Sequence, residues 1–243
     1  MIETSLPTPE RALAIGAHPD DIEFGCGATL SKWAELGAEV HMMVLTDGSK
    51  GTWDPDRARA ELIATREREQ GDAARRLGVS SIRFLSRTDG ELTSDLTNRA
   101  EVCRAIREIR PDVVLGHDPW KRYRLHPDHR HAGWLTVDGV VAARDPLFFP
   151  GLGGPHHRPD ALLLFEADEP DHAEAVATFI PMKVAALLAH RSQWRSTIAF
   201  DVGSPAERDG IAAFERQIED EARAAAPAGV DGFAEAFRVL TEI

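Results

Sequence analysis

A chain of 243 residues, 43% hydrophobic and 28% charged, has the makeup of an ordinary globular domain, and no stretch of it reads as a linker between two. Its formal net charge of −12 argues against general nucleic-acid binding, which requires a basic face. No apolar run reaches the ~20 residues a bilayer span needs, the first apolar run is too short for a secretory leader, and Cys26 and Cys103 have neither metal nor framework spacing. One domain over 1–243, cytoplasmic and with no membrane insertion, is the expectation.

Residues 1 to 10, with two prolines, read as an irregular lead-in. Ala12-Leu13-Ala14-Ile15-Gly16 reads as a buried strand. Pro19 pushes His18 towards an extended conformation, so His18 should close that strand, with Asp20 and Asp21 on the turn beyond. One imidazole and two carboxylates at the carboxyl end of a strand stand where open α/β sheets gather ligands, and they suit a zinc-type ion. Ala28 to Leu36 has helical spacing with Gly37 as its stop, and Glu39 to Leu45 reads as a second strand. The loop Thr46-Asp47-Gly48-Ser49-Lys50-Gly51 then falls on the same sheet edge as His18, with glycine spacing unlike a P-loop.

A long helix is expected from Pro55 to Leu77, ended by Gly78, then a strand from Ser81 to Leu85 and a turn at Asp89-Gly90. Leu96 to Ile109 has helical periodicity, with Arg104, Arg107 and Arg110 placed on its outer face. Asp112 to Gly116 is the next strand, and His117 at its end faces the crevice. The basic stretch Trp120 to Arg124, including Lys121, Arg122 and Arg124, is placed to steer an anionic substrate.

His126-Pro127-Asp128-His129 then repeats the histidine–proline device. Residues three apart in a first helical turn can face one side, so His129 can join His18 and Asp21 as an open three-ligand site. Asp20 and His126 are left as unligated acid/base groups beside it. Arg130 to Ala143 continues as a helix. Pro146 to Pro159 is a loop whose adjacent His156 and His157 stand outside the metal set. Ala161 to Phe165 is a strand, 173 to 180 a further one, Pro181 to Trp194 a helix, and the tail from Ala206 one or two covering helices. The alternation predicts a single-domain, Rossmann-like α/β fold, a mostly parallel sheet with helices on both faces. No Gly-x-Gly-x-x-Gly follows the first strand and no Gly-x-Ser-x-Gly elbow is present, which argues against a dinucleotide enzyme and a serine hydrolase.

Both histidine motifs resemble the PIG-L/LmbE-like zinc-dependent N-deacetylases. Further matches are Gly25-Cys26-Gly27-Ala28-Thr29-Leu30, Leu45-Thr46-Asp47-Gly48, Arg66 with Glu69, Leu77-Gly78-Val79, Asp89-Gly90, Pro111-Asp112-Val113-Val114, and Lys183 with His190-Arg191-Ser192-Gln193. The resemblance covers roughly residues 12 to 194. It implies removal of an acetyl group from an N-acylated amino sugar or related conjugate, with Zn2+ as cofactor, Fe2+ being compatible with the same donors. Between the two adjacent aspartates it selects Asp21 as ligand and Asp20 as base. It also implies substrate contact at Arg66, Asp89 and the Arg124 position, where some relatives have a tyrosine. A second departure is Ile22, followed by Glu23, where a glutamate often stands. A homo-oligomer is left open. The competing reading is a metal-containing sugar-binding module, or an inactive relative, that keeps the ligands without the hydrolysis.

Overall fold

Apolar side chains from Ala12 to Ile15 leave neither face of that segment for water. In the computed structural model, which describes residues 3–198, 202–203, 205–227 and 232–243, it is an interior strand of one sheet covered by helices on both sides. The elements are Glu3–Thr4 (β1), Arg11–Gly16 (β2), Asp21–Glu35 (α1), Glu39–Thr46 (β3), Arg59–Leu77 (α2), Ser81–Arg87 (β4), Leu96–Ile109 (α3) and Val113–His117 (β5). There follow Pro127–Arg144 (α4), Ala161–Phe165 (β6), His172–Ala175 (β7), Ile180–Leu187 (α5), Glu207–Ala225 (α6) and Ala234–Leu240 (β8).

The eight strands lie in the order β1-β7-β8-β6-β5-β2-β3-β4. Every pairing is parallel except those of β8, which runs antiparallel to both β6 and β7. Alternation along β2 splits the core. Ala12 and Ala14 pack with Cys26, Leu30 and Trp33 of α1, Ala73 and Leu77 of α2, and Ala186 of α5, while Leu13 and Ile15 pack with Val102, Cys103 and Ile106 of α3 and Leu135 and Val140 of α4. Because β3 and β5 flank β2 on opposite sides, the chain leaves β2 at a switch point of the sheet, where α/β folds open a crevice.

Six expectations change. β2 ends at Gly16, two residues short of His18. A Cβ on Gly16 would lie 2.8 Å from Ile22 Cγ1, so α1 packs directly against the strand end. α1 starts at Asp21 instead of Ala28. Its periodicity is hidden by a break at Cys26 (φ −152°), and the N–H groups of Ala28 and Thr29 freed there donate to the Glu235 carboxylate. The stretch 173 to 180 holds only the short β7 before a 3-10 turn at Ala177–Phe179, and the following helix stops at Leu187, the chain continuing in a 3-10 turn and a π-helical turn, Trp194–Ile198. Arg107 is 2% exposed, not on an outer face.

The sixth change concerns the tail, which carries one helix and then β8. Ala-Glu-Ala-Phe-Arg-Val-Leu is rich in helix formers, but the slot between β6 and β7 supplies hydrogen bonds on both sides, and tertiary context overrides propensity. The lead-in is mostly irregular but includes β1, paired with β7. Residues 1–2 of that lead-in and 228–231 of the tail lie outside the described residues.

Candidate metal centre

The loops after β2 and β5 and the first turn of α4 bring His18, Asp21 and His129 together. His18 Nδ1 lies 3.3 Å from Asp21 Oδ2 and 3.2 Å from His129 Nε2, and His129 Nε2 lies 3.3 Å from Asp21 Oδ1. An ion with bonds of ~2.0–2.1 Å in a tetrahedral shell holds its donors roughly 3.3 Å apart. The His18 and His129 nitrogens have that spacing, while Asp21 meets one through Oδ2 and the other through Oδ1. His18 and His129 also group with His126, and Asp21 and His129 with His117, within reach of one ion. Imidazoles with a carboxylate are a donor set for zinc and other first-row divalent ions. Asp21 is held in place by the His18 N–H, which donates to Oδ2 at 2.7 Å.

Charge agrees with geometry. Burial disfavours a cationic His18, yet Asp128, Asp21 and Asp89 outweigh it and hold the ring's pKa well above its ordinary value. Burial likewise opposes the charge on Asp21, but the rings of His129 and His117 keep it well below the usual carboxylate range. Asp89, also opposed by burial, is lowered to about 2, chiefly by His18. The pocket is a concentration of ionised carboxylates that favours positive charge, as a cation site must be.

Asp20 and Asp21 diverge because the backbone reverses between them. Asp20 has φ 102°, a left-handed conformation rare for a side-chain-bearing residue. Such strain persists only where surroundings impose it. Here the Asp20 N–H donates to Gln70 Oε1 at 3.0 Å, and Gln70 in turn donates to the fully buried Glu23. Glu23 thus supports the site from the position next to Ile22. The Asp20 carboxylate turns to Arg66 Nη2 at 3.2 Å. Burial pushes its pKa up and the Arg66 charge pulls it back.

His126 is the N-cap of α4, with Pro127 following at the first helical position. Its Nδ1 accepts the Asp128 N–H at 3.3 Å. That bond assigns the ring proton to Nε2, leaving a donor on the other nitrogen. The ring lies edge-on to His18, centroids 4.6 Å apart, and burial, His18 and His129 depress its pKa, favouring the neutral form.

His18, Asp20, Asp21, Arg66, Asp89, His126 and His129 line one cavity of about 740 Å³. His117 and Arg124, expected at the substrate, lie one layer behind. His117 is 1% exposed, with Nε2 3.3 Å from Asp21 Oδ2 and Nδ1 3.1 Å from Glu166 Oε2. Arg124 pairs with the same Glu166 oxygen at 2.5 Å and meets His129 Nδ1 at 3.0 Å. Lys121 does not line this cavity, and Arg122 with Trp120 lines a separate hollow of about 280 Å³. His157 bonds the Pro111 carbonyl, away from the site.

Two residues escaped the sequence reading. Asp128, fully buried, accepts the N–H groups of Gly90 and Leu92 and faces His18 Nε2 at 3.1 Å. It makes a carboxylate–histidine pair of the kind that orients metal-binding rings, and its place between His126 and His129 was the available signal. Glu166, at φ 58° just past β6, belongs to no motif.

The family model described as "PIG-L: GlcNAc-PI de-N-acetylase" matches residues 13–140, the segment that carries both histidine motifs. A diacetylchitobiose deacetylase of Thermococcus kodakarensis is 36% identical over 188 residues, 76% of this chain and 70% of that one. A 1D-myo-inositol 2-acetamido-2-deoxy-alpha-D-glucopyranoside deacetylase of Kineococcus radiotolerans is 33% identical over 169 residues, 57% of this chain and 46% of its own length. Among solved structures, the N,N'-diacetylchitobiose deacetylase from Pyrococcus horikoshii, complexed with its inhibitor MPG, superposes with a TM-score of 0.84 at 30% identity, over 96% of this chain and 84% of that one.

Proposed function

The chain belongs to the PIG-L family, and from that premise we propose that it removes the acetyl group from the amide nitrogen of an N-acetylglucosamine-type sugar or conjugate, at a divalent cation held by His18, Asp21 and His129. The observation that carries the reading is the convergence of His18, Asp21 and His129 with a carboxylate outside that cluster, Asp20, lining the same cavity. A cation on those donors would polarise the acetyl carbonyl and acidify a nearby water. We assign Zn2+, and Fe2+ would suit the same donors.

Asp20 takes the proton of the attacking water and returns it to the leaving amine. Burial raises its basicity, and the Arg66 charge opposes that rise. His126 directs its Nε2–H at the oxygen of the tetrahedral intermediate, where a fixed donor is worth more than water. Asp89 and Arg66 reach the sugar from the same cavity, while His117 and Arg124 hold Asp21 and His129 in place. One domain spanning 1–243 does this work. No helix among the described residues is long and apolar enough to cross a membrane, and two buried free cysteines fit the cytoplasmic setting we infer.

The test is acetate release from N-acetylglucosamine and N,N'-diacetylchitobiose, before and after chelation and again with zinc restored. Release abolished by chelator and recovered with metal is expected. A metal-loaded protein that leaves a panel of N-acyl amino sugars intact would remove the reading.

A further inference from the structure

Asp20 lines two spaces. One is the cavity of the metal centre, and the other is a narrow hollow shared with Phe24, Leu187, His190 and Gln193. His190 does not line the first and has no part in the reaction derived above. It is 2% exposed, and among the described residues neither of its ring nitrogens has a hydrogen-bond partner. A buried polar group left so unused calls for a reason. The segment that carries it is firmly held. The Ser192 N–H and Oγ donate to the Glu69 carboxylate at 2.8 and 2.6 Å, and Gln193 Nε2 donates to the Gly51 carbonyl at 3.0 Å. Glu69 lies on α2 between Arg66, which pairs with the Asp20 carboxylate, and Gln70, which accepts the Asp20 N–H. One stretch of α2 therefore holds both Asp20 and the turn that presents His190.

The ring's neighbour supplies the reason. His190 Nε2 lies 3.8 Å from Oε1 of Glu23, a side chain with no exposure at all. Removing one partner of a buried ion pair strands the other as an uncompensated charge. Burial opposes a charge on the ring, but Glu23 and then Asp20 outweigh it and hold its pKa above the ordinary value. The same Glu23 oxygen accepts the Gln70 amide, while Gln70 Oε1 accepts the Asp20 N–H at 3.0 Å. A carboxamide has an oxygen and a nitrogen end, and the acceptor behind Gln70 turns its oxygen towards Asp20. Three contacts thus run from His190 to the left-handed backbone of Asp20, at φ 102°.

We propose that His190 is a positioning residue for the general base. As the counter-charge of Glu23 it fixes Gln70, and through Gln70 the backbone conformation that separates the Asp20 carboxylate from that of Asp21. This rests on the deacetylase reading above and deepens it by naming what holds the base. His190 acts through Asp20 and makes no contact with the sugar, so its loss should be felt in the rate of the bound complex and not in substrate affinity.

The experiment measures acetate release from N,N'-diacetylchitobiose by the metal-loaded full chain, together with bound metal. His190→Gln should lower kcat about 10–100-fold, the scale of losing a partner that orients a site's working group, with KM and metal content near those of the wild type. Adding Glu23→Gln should recover part of that loss, since an amide needs no counter-charge and still offers Gln70 an oxygen. In an Asp20→Asn background His190→Gln should cost little more, because groups that act as a unit are not additive. An unchanged kcat, a loss by the same factor in the Asp20→Asn background, or a double variant slower than His190→Gln alone would overturn the positioning role while leaving the deacetylase standing. If the wild type hydrolyses no sugar, amide hydrogen exchange decides separately. His190→Gln should then speed exchange of the Asp20 N–H about tenfold, the scale of one hydrogen bond, and leave Leu13 and Ile15 of β2 unchanged. Equal exchange at Asp20 in both proteins, or a rise at all three residues, discards the positioning role as well.

Discussion

Two buried arginines show how differently this molecule uses one side chain. Arg107, at the back of α3, is 2% exposed and gives all three guanidinium nitrogens to six carbonyl oxygens, those of Ala142, Ala143, Asp145, Phe148, Phe149 and Leu152. It closes the carboxyl end of α4, whose last carbonyls have no partner within the helix. Arg66, in the crevice, is 3% exposed, bonds the carbonyls of Gly48 and Pro19 and the Asp20 carboxylate, and leaves Nε without a hydrogen bond. A buried polar group whose capacity is fully used is scaffold. Arg66 instead ties the strained Asp20 to the cavity wall, where its charge acts on that carboxylate.

The contrast breaks first at Asp20, the group Arg66 serves. Asp20→Asn keeps the size but accepts no proton, so kcat should fall about 10²–10⁴-fold with metal content near normal by elemental analysis. Asp21→Asn should instead bind metal weakly and regain part of its activity when zinc is added. The reverse pattern would exchange the two roles.

At Arg107 the effect should be on stability alone. Arg107→Met strands carbonyls at a buried helix end, and leaving such groups unpaired costs ~1–3 kcal/mol each. A total of about 3 kcal/mol would lower Tm by roughly 6–12 °C in a chain of this length. Thermal melts and kcat measured well below Tm check this, and a fall in kcat without a fall in Tm would make Arg107 part of the site.

Arg66→Met should do the opposite. The expected loss in kcat/KM is about 10–100-fold, the scale of losing a partner that orients a site's working group, with a smaller change in Tm than at Arg107. The pH profile sharpens it. Burial raises the Asp20 pKa and the Arg66 charge lowers it, so removing that charge lets the pKa rise. Since Asp20 acts as a base when ionised, the acidic limb of kcat/KM should move to higher pH. A limb that stays in place would detach Arg66 from Asp20.

Neither arginine was legible from its neighbours in sequence. Arg66 lies in the run Arg66-Glu67-Arg68-Glu69, the pattern of a solvated helical face, and only the family resemblance singled it out. Arg107 was placed on the outer face of α3 because periodicity records which face is apolar, not which charge another element will cover. β8 was read as helix for a related reason: its own residues favour helix, and the partners that make it a strand, β6 and β7, come 59 or more residues earlier. β2, β3, β6 and the two histidine motifs were legible because their signals are local, being apolar runs, proline positions and fixed spacings.

The chain by itself determined the donor chemistry. His18, Asp20, Asp21, His126 and His129 are set by motif, and each proline restricts its own φ and the histidine before it. Only the tertiary structure decided how the donors are divided and supported. The left-handed backbone at Asp20 sends two identical carboxylates in different directions, and Gln70, fifty residues on, holds that conformation. Asp128 supports His18 across 110 residues, and Glu166 is tied through His117 and Arg124 to both Asp21 and His129. A residue's chemistry travels with its identity, whereas its charge state, orientation and partners depend on groups that become neighbours only when the sheet has formed.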